Sequence, residues 1–452
     1  EKLTFGSLQE MIDEYLEYLD FDVLTDIERY PELTGETDRP AETEGMPGAE
    51  PDMEAGREPE EGSAWLEGGR IAEGSSPVMP EIPDKESVRL NYKFRDDRGD
   101  VGGEKTRYRN NVAAIRTLKK IEALGRLAEA EEQEILAGYT GWGSLGGAFD
   151  PENKKWEKEY RELKELLTKE EYESARATVL NAYYTGADII KAVYRVIRRM
   201  EFVPGNILEP GCGIGRFFGL MPDDFSASRL YGVEADGLTG RIARQLYQEA
   251  DIAIRGFEET AYPDDLFDLA VGNVPFGDYK VYDRRYDKMN LRIHDYFILK
   301  SLDKVRTGGL AVLVTTHGTM DKTDSKARQA MAEKADLLGA VRLPDNAFRA
   351  AGAEVTTDIL FFQKRAGIPA QMPEWVQAGE TEEGVPLNSY FLSHPWMVLG
   401  RMAFHNNKRY GGAGEPACLP FEGADLRAQL AEAVVHIPLP HPELLKISQA
   451  GW

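Results

Sequence analysis

Glycines recur at positions 211, 213 and 215 in the run Ile207-Leu208-Glu209-Pro210-Gly211-Cys212-Gly213-Ile214-Gly215-Arg216-Phe217-Phe218. The spacing predicts an apolar strand entering a tight loop and a helix leaving it. Glycine permits the turn and lets a ligand approach the main chain closely. The start of the following helix would favour an anionic group. This is not the GxGxxG dinucleotide fingerprint, because the third glycine comes early and Arg216 follows it. Alone, the loop is equally an ordinary strand–helix turn. Glu234 ends the next apolar run, 19 residues after Gly215. A carboxylate there can accept both hydroxyls of a ribose, or simply face solvent. Gly256-Phe257-Glu258-Glu259 follows a third run. A carboxylate here, assigned to Glu258, can accept from an adenine amine while an aromatic packs on the ring. The three groups together suit a nucleoside-bearing cofactor.

Such groups need one sheet edge to hold them. Candidate strands are Asn206–Glu209, Arg229–Glu234, Asp251–Arg255, Phe267–Gly272, Gly309–Thr315, Leu337–Leu343 and Thr357–Gln363. Helical stretches separate most of them. The alternation predicts an α/β fold with a doubly wound, mostly parallel, seven-stranded sheet. The segment Asp268-Leu269-Ala270-Val271-Gly272-Asn273-Val274-Pro275-Phe276-Gly277 follows the fourth strand, at the carboxyl edge where ligands bind in such sheets.

The chain divides by composition. Residues 1–30 hold a short helical segment with an apolar stripe over 8–19, and 31–100 read as an acidic disordered linker. A helical N-terminal subdomain is expected over 101–180, with a continuous helical pattern at 105–137 and further helices at 155–167 and 169–181. The catalytic domain is expected over 181–366 and a Pro-rich C-terminal extension over 367–452. Acidic residues number 78 and basic residues 54, which argues against coating nucleic acid or anionic lipid by bulk charge. Residues 1–100 carry 28 acidic and 10 basic side chains, whereas 101–452 carry 50 and 44, so any basic face must be local. No apolar run approaches membrane-spanning length, and no signal peptide is visible. Two cysteines without a CxxC pair predict no disulfide framework, no metal site and a reducing, cytoplasmic setting. The chain begins with Glu1, as expected of a processed or excised form.

Asn273-Val274-Pro275-Phe276 resembles the Asp/Asn-Pro-Pro-aromatic motif of the S-adenosylmethionine-dependent N6-adenine DNA methyltransferases. Val274 stands where the family has proline. The resemblance implies a Rossmann-like methyltransferase fold in which the Asn273 side-chain oxygen and the Val274 carbonyl accept hydrogen bonds from the target amine. Pro275 completes the motif, and Phe276 offers a face for the base. Two acceptors stabilise charge developing on a poorly nucleophilic nitrogen, and the base must be flipped or single-stranded to enter. Ala182-Tyr183-Tyr184-Thr185-Gly186 resembles the family block that contacts the methionine moiety, with Gly186 in place of proline. The implied cofactor-binding set is Tyr184, Thr185, Glu209, Gly211, Gly213, Gly215, Glu234, Glu258 and Asn273. The blocks follow the gamma order, cofactor half first.

Tyr139-Thr140-Gly141-Trp142-Gly143, Lys280-Val281-Tyr282-Asp283, His294-Asp295-Tyr296-Phe297 and Leu343-Pro344-Asp345-Asn346-Ala347-Phe348 resemble phrases in the methylase portion of the large methylase–helicase proteins of conjugative elements and phages. That resemblance implies modification of mobile-element DNA as protection from host restriction, and a helicase region of the same parent protein as a partner. This chain itself has no GxxxxGK[ST].

Residues 279–294 hold five basic and two acidic side chains with tyrosines interleaved. Lys280, Tyr282, Arg284, Arg285, Lys288 and Arg292 are therefore candidate nucleic-acid contacts. The alternative is a loop of internal ion pairs. Lys105, Arg107, Arg109, Arg116, Lys119 and Lys120 form a second candidate patch. Trp142 either folds over the cofactor mouth or packs in the core. His294 and His317 are expected to be structural, and Cys212 a space filler. Two other readings stay open at this point: an amino-methyltransferase of an RNA base or protein glutamine, and a non-catalytic binding module.

Overall fold

The apolar runs form strands in the computed structural model, which describes residues 89–95, 102–143, 145–180, 184–277, 279–405 and 414–441. These strands are β1 (Asn206–Pro210), β2 (Arg229–Glu234), β3 (Asp251–Ile254), β4 (Phe267–Asn273), β5 (Val305–Thr316), β6 (Ala335–Leu343) and β7 (Thr357–Lys364). They make one sheet in the order β3-β2-β1-β4-β5-β7-β6. The β1–β5 neighbours pair in parallel, and β7 runs antiparallel to both β5 and β6. The doubly wound, mostly parallel sheet expected from the sequence is borne out. Residues 269–271 and 310–314 are fully buried, as strands covered on both faces must be. Strand β5 starts earlier than expected because Val305 pairs with Phe267 ahead of a bulge. The parallel run of β1, β2 and β4 brings their carboxyl ends to one edge.

Helices α1 (Glu104–Ala123), α2 (Ala130–Leu136), α3 (Glu157–Leu166) and α4 (Lys169–Ala177) precede the sheet. The continuous helical pattern over 105–137 is thus two helices. Gly125 takes a left-handed φ of 61° and its N–H donates to Glu122, which ends α1. The face Val112, Ile115, Leu118 and Ile121 is buried as the spacing requires. Helices α5 (Ala187–Arg199), α6 (Gly237–Leu246), α7 (Ile293–Lys304) and α8 (Lys326–Lys334) flank the strands, and α9 (Leu426–Ala433) follows them. Among the described residues, no helix is long and apolar enough to cross a membrane.

The helical segment expected over 1–30 and the linker as far as residue 88 lie outside the described residues. Residues 89–95, read as linker, instead run extended against the end of α6 and the turn after β1. Tyr92 and Phe94 N–H groups donate to Leu246 and Gly219 carbonyls, at 2.8 and 3.0 Å. Both rings are buried and meet edge to face. Two aromatics in a polar context gave no periodic signal to read.

Within 367–452, β8 (Ala378–Glu380) pairs with β9 (Pro386–Asn388), and β10 (Gly400–His405) with β11 (Glu415–Pro420). A buried guanidinium joins this region to the sheet. Arg342, on β6, binds Asp358 of β7 bidentately at 2.8 Å and Asp321 at 2.6 Å. Asp321 in turn accepts from the Asn388 N–H at 2.9 Å.

Candidate active site

A cavity of about 550 Å³ opens at the carboxyl edge of β1, β2 and β4. That volume suits a nucleoside-sized ligand with room for a second group. Tyr184, Thr185, Glu209, Gly211, Gly213, Glu234 and Glu258 line one part of it. Asn273, Val274, Pro275 and Phe276 line another. Residues far apart in the chain are therefore brought together as expected.

Gly215 is the exception and a correction. It does not border the cavity. Its φ is +76°, and a Cβ there would lie 2.3 Å from the Tyr247 ring. Glycine is needed for that turn and that contact, not for a ligand. The following helix is also only one turn, Arg216–Gly219, so the expected anion-favouring helix start is not formed. Arg216 instead donates to the Thr185 carbonyl at 3.1 Å and covers the Tyr184 ring. Tyr184 donates to the Ala350 carbonyl at 2.7 Å. These contacts hold the Tyr184-Thr185 segment over the cavity.

The carboxylates differ in their surroundings. Glu234 accepts from the N–H groups of Gly213 and Asp236, both at 2.8 Å. Burial nevertheless pushes its carboxyl up to about 7. Glu209 is buried, and burial raises its carboxyl well above the ordinary range. Its Oε2 has no partner among the described residues. A buried, unclaimed carboxyl oxygen suits a ligand that brings positive charge. S-adenosylmethionine, with its ammonium and sulfonium, meets that requirement. Phe257, the aromatic expected near adenine, borders the cavity but is almost wholly buried against Phe297, at 5.2 Å between ring centres.

The loop after β4 carries the acceptors. Asn273 pairs in register with Val314 of β5, and the Val274 N–H donates to the Val314 carbonyl at 3.0 Å. Proline has no N–H and could not make that bond. Val274 thus replaces ring rigidity with a tie to the sheet, and its side chain is buried. Asn273 Oδ1 is buried with no partner, and the Val274 carbonyl accepts no hydrogen bond among the described residues. Phe276 is half-buried at the cavity wall.

The basic candidates divide. Arg285 is tied to Asp264 at 2.7 Å and Asp303 at 3.1 Å, so it is an internal ion pair and not a free phosphate contact. Tyr286 is buried and donates to Asp303. Lys280 donates to Asn290 at 2.7 Å, and Arg292 stands at the N-cap of α7. Tyr282 is 78% exposed. Arg284 and Lys288 are exposed and have no ionic partner among the described residues. The second patch is a correction as a whole. Lys105, Arg116, Lys119 and Lys120 pair with Glu159, Glu162, Glu171 and Glu132. Arg107 is buried and reaches the Ala351 carbonyl, while Arg109 bonds within α1. Carboxylates 12 to 54 residues away along the chain, invisible to a local count, pair with these cations.

Trp142 is fully buried against Phe149 and Tyr139, which decides for packing. The residues just before it, Tyr139, Thr140 and Gly141, do line the cavity, as do Asp236 and Arg255. The first three lie in the helical region, where only the expectation that Trp142 and its glycines could fold over the cofactor mouth pointed to the cavity. His294 and His317 do not border the cavity. Burial pushes the His294 imidazole down to about 3, so it is neutral. Cys212 is buried beside Gly232, as a space filler would be.

The strand order and the reversed β7, with a cavity beside the glycine loop, are those of the Rossmann-like methyltransferase fold expected from the sequence. More narrowly, residues 166–372 match the family model described as N-6 DNA Methylase, which bears out the resemblance read from the sequence. The chain is 29% identical over 308 residues to "Defense against restriction protein B" of Escherichia phage P1. That stretch is 66% of this chain and 12% of the phage protein. It is 35% identical over 94 residues to the Type II methyltransferase M.CvrRI of Paramecium bursaria Chlorella virus XZ-6E, covering 21% of this chain and 24% of that one. The chain therefore spans a small part of both relatives. Among solved structures it is similar to the type I restriction-modification system methyltransferase subunit from Streptococcus thermophilus, with a TM-score of 0.37 and 13% identity over 58% of this chain and 79% of that one.

Proposed function

We propose that this chain transfers a methyl group from S-adenosylmethionine to the N6 amine of an adenine in DNA. The observation that carries the proposal is the pair of unclaimed acceptors, Asn273 Oδ1 and the Val274 carbonyl, on the wall of one cavity with Glu209 and Glu234. S-adenosylmethionine, when bound, supplies a methyl group already activated on a sulfonium. Glu234 accepts from its ribose hydroxyls, Glu258 from its adenine amine, and Glu209 faces its ammonium. Gly211 and Gly213 let the main chain come close, and Tyr184 and Thr185 close the amino-acid end. The Asn273 Oδ1 and the Val274 carbonyl accept hydrogen bonds from the two N–H groups of the target amine, one of whose protons leaves to solvent once the N–CH3 bond has formed and the S–CH3 bond has broken. They hold its nitrogen lone pair toward the methyl group and stabilise the positive charge that develops there. Pro275 stiffens the loop and Phe276 stacks on the base. No side-chain nucleophile is required, since the remaining catalysis is positioning. The base enters flipped out or single-stranded. The name of the phage P1 relative supports a role in shielding mobile-element DNA from restriction. Incubation with tritiated S-adenosylmethionine and single- or double-stranded DNA, then digestion and mass analysis, should yield N6-methyladenine. Label in another base, in RNA alone or in protein alone would refute the proposal.

Cofactor affinity should depend on pH. A carboxylate accepts from ribose hydroxyls, whereas a neutral carboxyl has lost part of that capacity. With its carboxyl near 7, Glu234 is ionised above that pH and protonated below it. Affinity should be full at high pH and fall as pH drops through 7, by roughly tenfold between pH 8 and 6. Calorimetric titration with S-adenosylhomocysteine measures this, and the Glu234→Gln variant should lose the step. A flat profile in the wild type would contradict the role given to Glu234.

DNA contact is assigned to Arg284 and Lys288, with Tyr282 stacking and Lys280 and Arg292 near the same loop. Replacing Arg284 and Lys288 together with alanine should weaken DNA binding and reduce the slope of log Kd against log salt by about 2. Arg285→Ala should instead lower thermal stability and leave that slope unchanged. Equal salt slopes in the double variant and the wild type would place the phosphates elsewhere.

A further inference from the structure

The helical region before the sheet contributes a wall to the cavity, and one polar atom of that wall is unaccounted for. Tyr139 is 2% exposed, and its hydroxyl has no hydrogen-bond partner among the described residues. Leaving a buried hydroxyl unpaired is costly. Natural structures rarely keep such a group without a use. Tyr139 borders the same cavity as Glu234 and Asp236, whose carboxylates are near enough to act on the phenol electrostatically. The Thr239 hydroxyl and the Trp142 indole N–H lie near the phenol oxygen, but neither completes a hydrogen bond to it, and the Thr239 proton goes to Asp236. The loop that carries Tyr139 is rigidly held. Asn111, fully buried in α1, accepts from the Thr140 N–H at 2.8 Å and donates to the Gly141 carbonyl at 2.6 Å. Trp142 packs edge-on against the Tyr139 ring. The hydroxyl is therefore fixed at the cavity wall rather than free to turn away.

A ribose hydroxyl is both donor and acceptor. Once its proton goes to Glu234, its oxygen still needs a donor. We infer that the Tyr139 hydroxyl supplies it, so that the N-terminal helical region completes the ribose site of the cofactor. Asn111 serves as the positioning residue for that loop. This rests on the cofactor reading given above. Burial and the neighbouring Asp236 raise the phenol's affinity for its proton, which keeps it a donor at working pH.

Calorimetric binding of S-adenosylhomocysteine and of its 2′-deoxy and 3′-deoxy analogues, to the wild type and to Tyr139→Phe, tests this. The variant keeps the ring and its packing and loses only the hydroxyl. Its affinity for S-adenosylhomocysteine should fall about threefold to tenfold, the worth of one hydrogen bond. One deoxy analogue should bind the wild type more weakly than the parent compound, and Tyr139→Phe should discriminate less between that pair. Unchanged affinity in Tyr139→Phe, or an equal loss for all three ligands, overturns the inference. A wild-type chain that discriminates neither analogue also overturns it, without need of a variant. A wild-type chain that binds none of the three overturns the cofactor reading itself, and this inference with it.

Discussion

Asn273→Ala should lower the rate of methyl transfer by about 10²–10³-fold, the usual cost of removing one preorganised group that stabilises transition-state charge. The alanine side chain takes away Oδ1, the buried oxygen with no partner in the chain. It leaves the backbone of β4 in place, because the register with Val314 and the Val274 N–H bond involve main-chain atoms. The fold should therefore persist. The effect should fall on kcat, since the Asn273 oxygen gains most as charge grows on the amine nitrogen. DNA affinity should be unchanged, because Arg284 and Lys288 stand apart from this atom in the proposed interface. Asn273→Asp keeps an acceptor at the same place and should retain more activity than the alanine. Steady-state kinetics with tritiated cofactor, paired with DNA titrations, separates the two readouts. Activity in Asn273→Ala within about tenfold of wild type would end the two-acceptor mechanism.

The same loop shows how far sequence reasoning reaches. Strand identity and the placement of Glu209, Glu234 and Asn273 were legible, because glycine turns and apolar runs are local signals and parallel strands must present like ends on one edge. The value of Val274 was not. As a departure from proline it reads as lost rigidity, yet its N–H is fastened to a strand 40 residues on, which only the register of β4 against β5 reveals. Gly215 failed for a related reason. Its left-handed turn is visible in the sequence, but Tyr247, the ring it accommodates, comes from the end of α6. Charge counts failed most plainly. Arg285 and the α1 lysines look free along the chain and are paired in space. The cavity wall that the helical region adds was signalled only by Trp142 and its glycines, because no spacing rule links that loop to the sheet. Local chemistry predicts which residues can act, and long-range packing decides which remain available to do so.

Arg342→Ala should be the most destabilising of the substitutions considered, by about 3–5 kcal/mol, because it leaves buried carboxylates without their counter-charge. Arg342 is wholly buried, as is Asp358, and Asp321 is nearly so. Its guanidinium holds both, stacks on Phe391 at 4.5 Å and lies 3.8 Å from the Met402 sulfur. Alanine would remove the charge and open a cavity among apolar groups. The neighbouring geometry links this loss to the active site. Asp358 lies opposite Thr315 in the β5–β7 register, next to Val314, the residue that holds Val274. The C-terminal hairpins depend on the same network through Asn388 and the Leu399 N–H, which donates to the Arg342 carbonyl. Denaturant unfolding should show the loss, and activity should disappear in step with the folded fraction rather than ahead of it. Arg342→Met with Asp358→Leu, which removes one carboxylate along with the cation, should recover part of the stability, since a buried ion pair contributes little beyond what packing can replace. If Arg342→Ala unfolded within about 1 kcal/mol of wild type, water would have to reach those carboxylates. The tie between the C-terminal region and the strand behind the catalytic loop would then need another source.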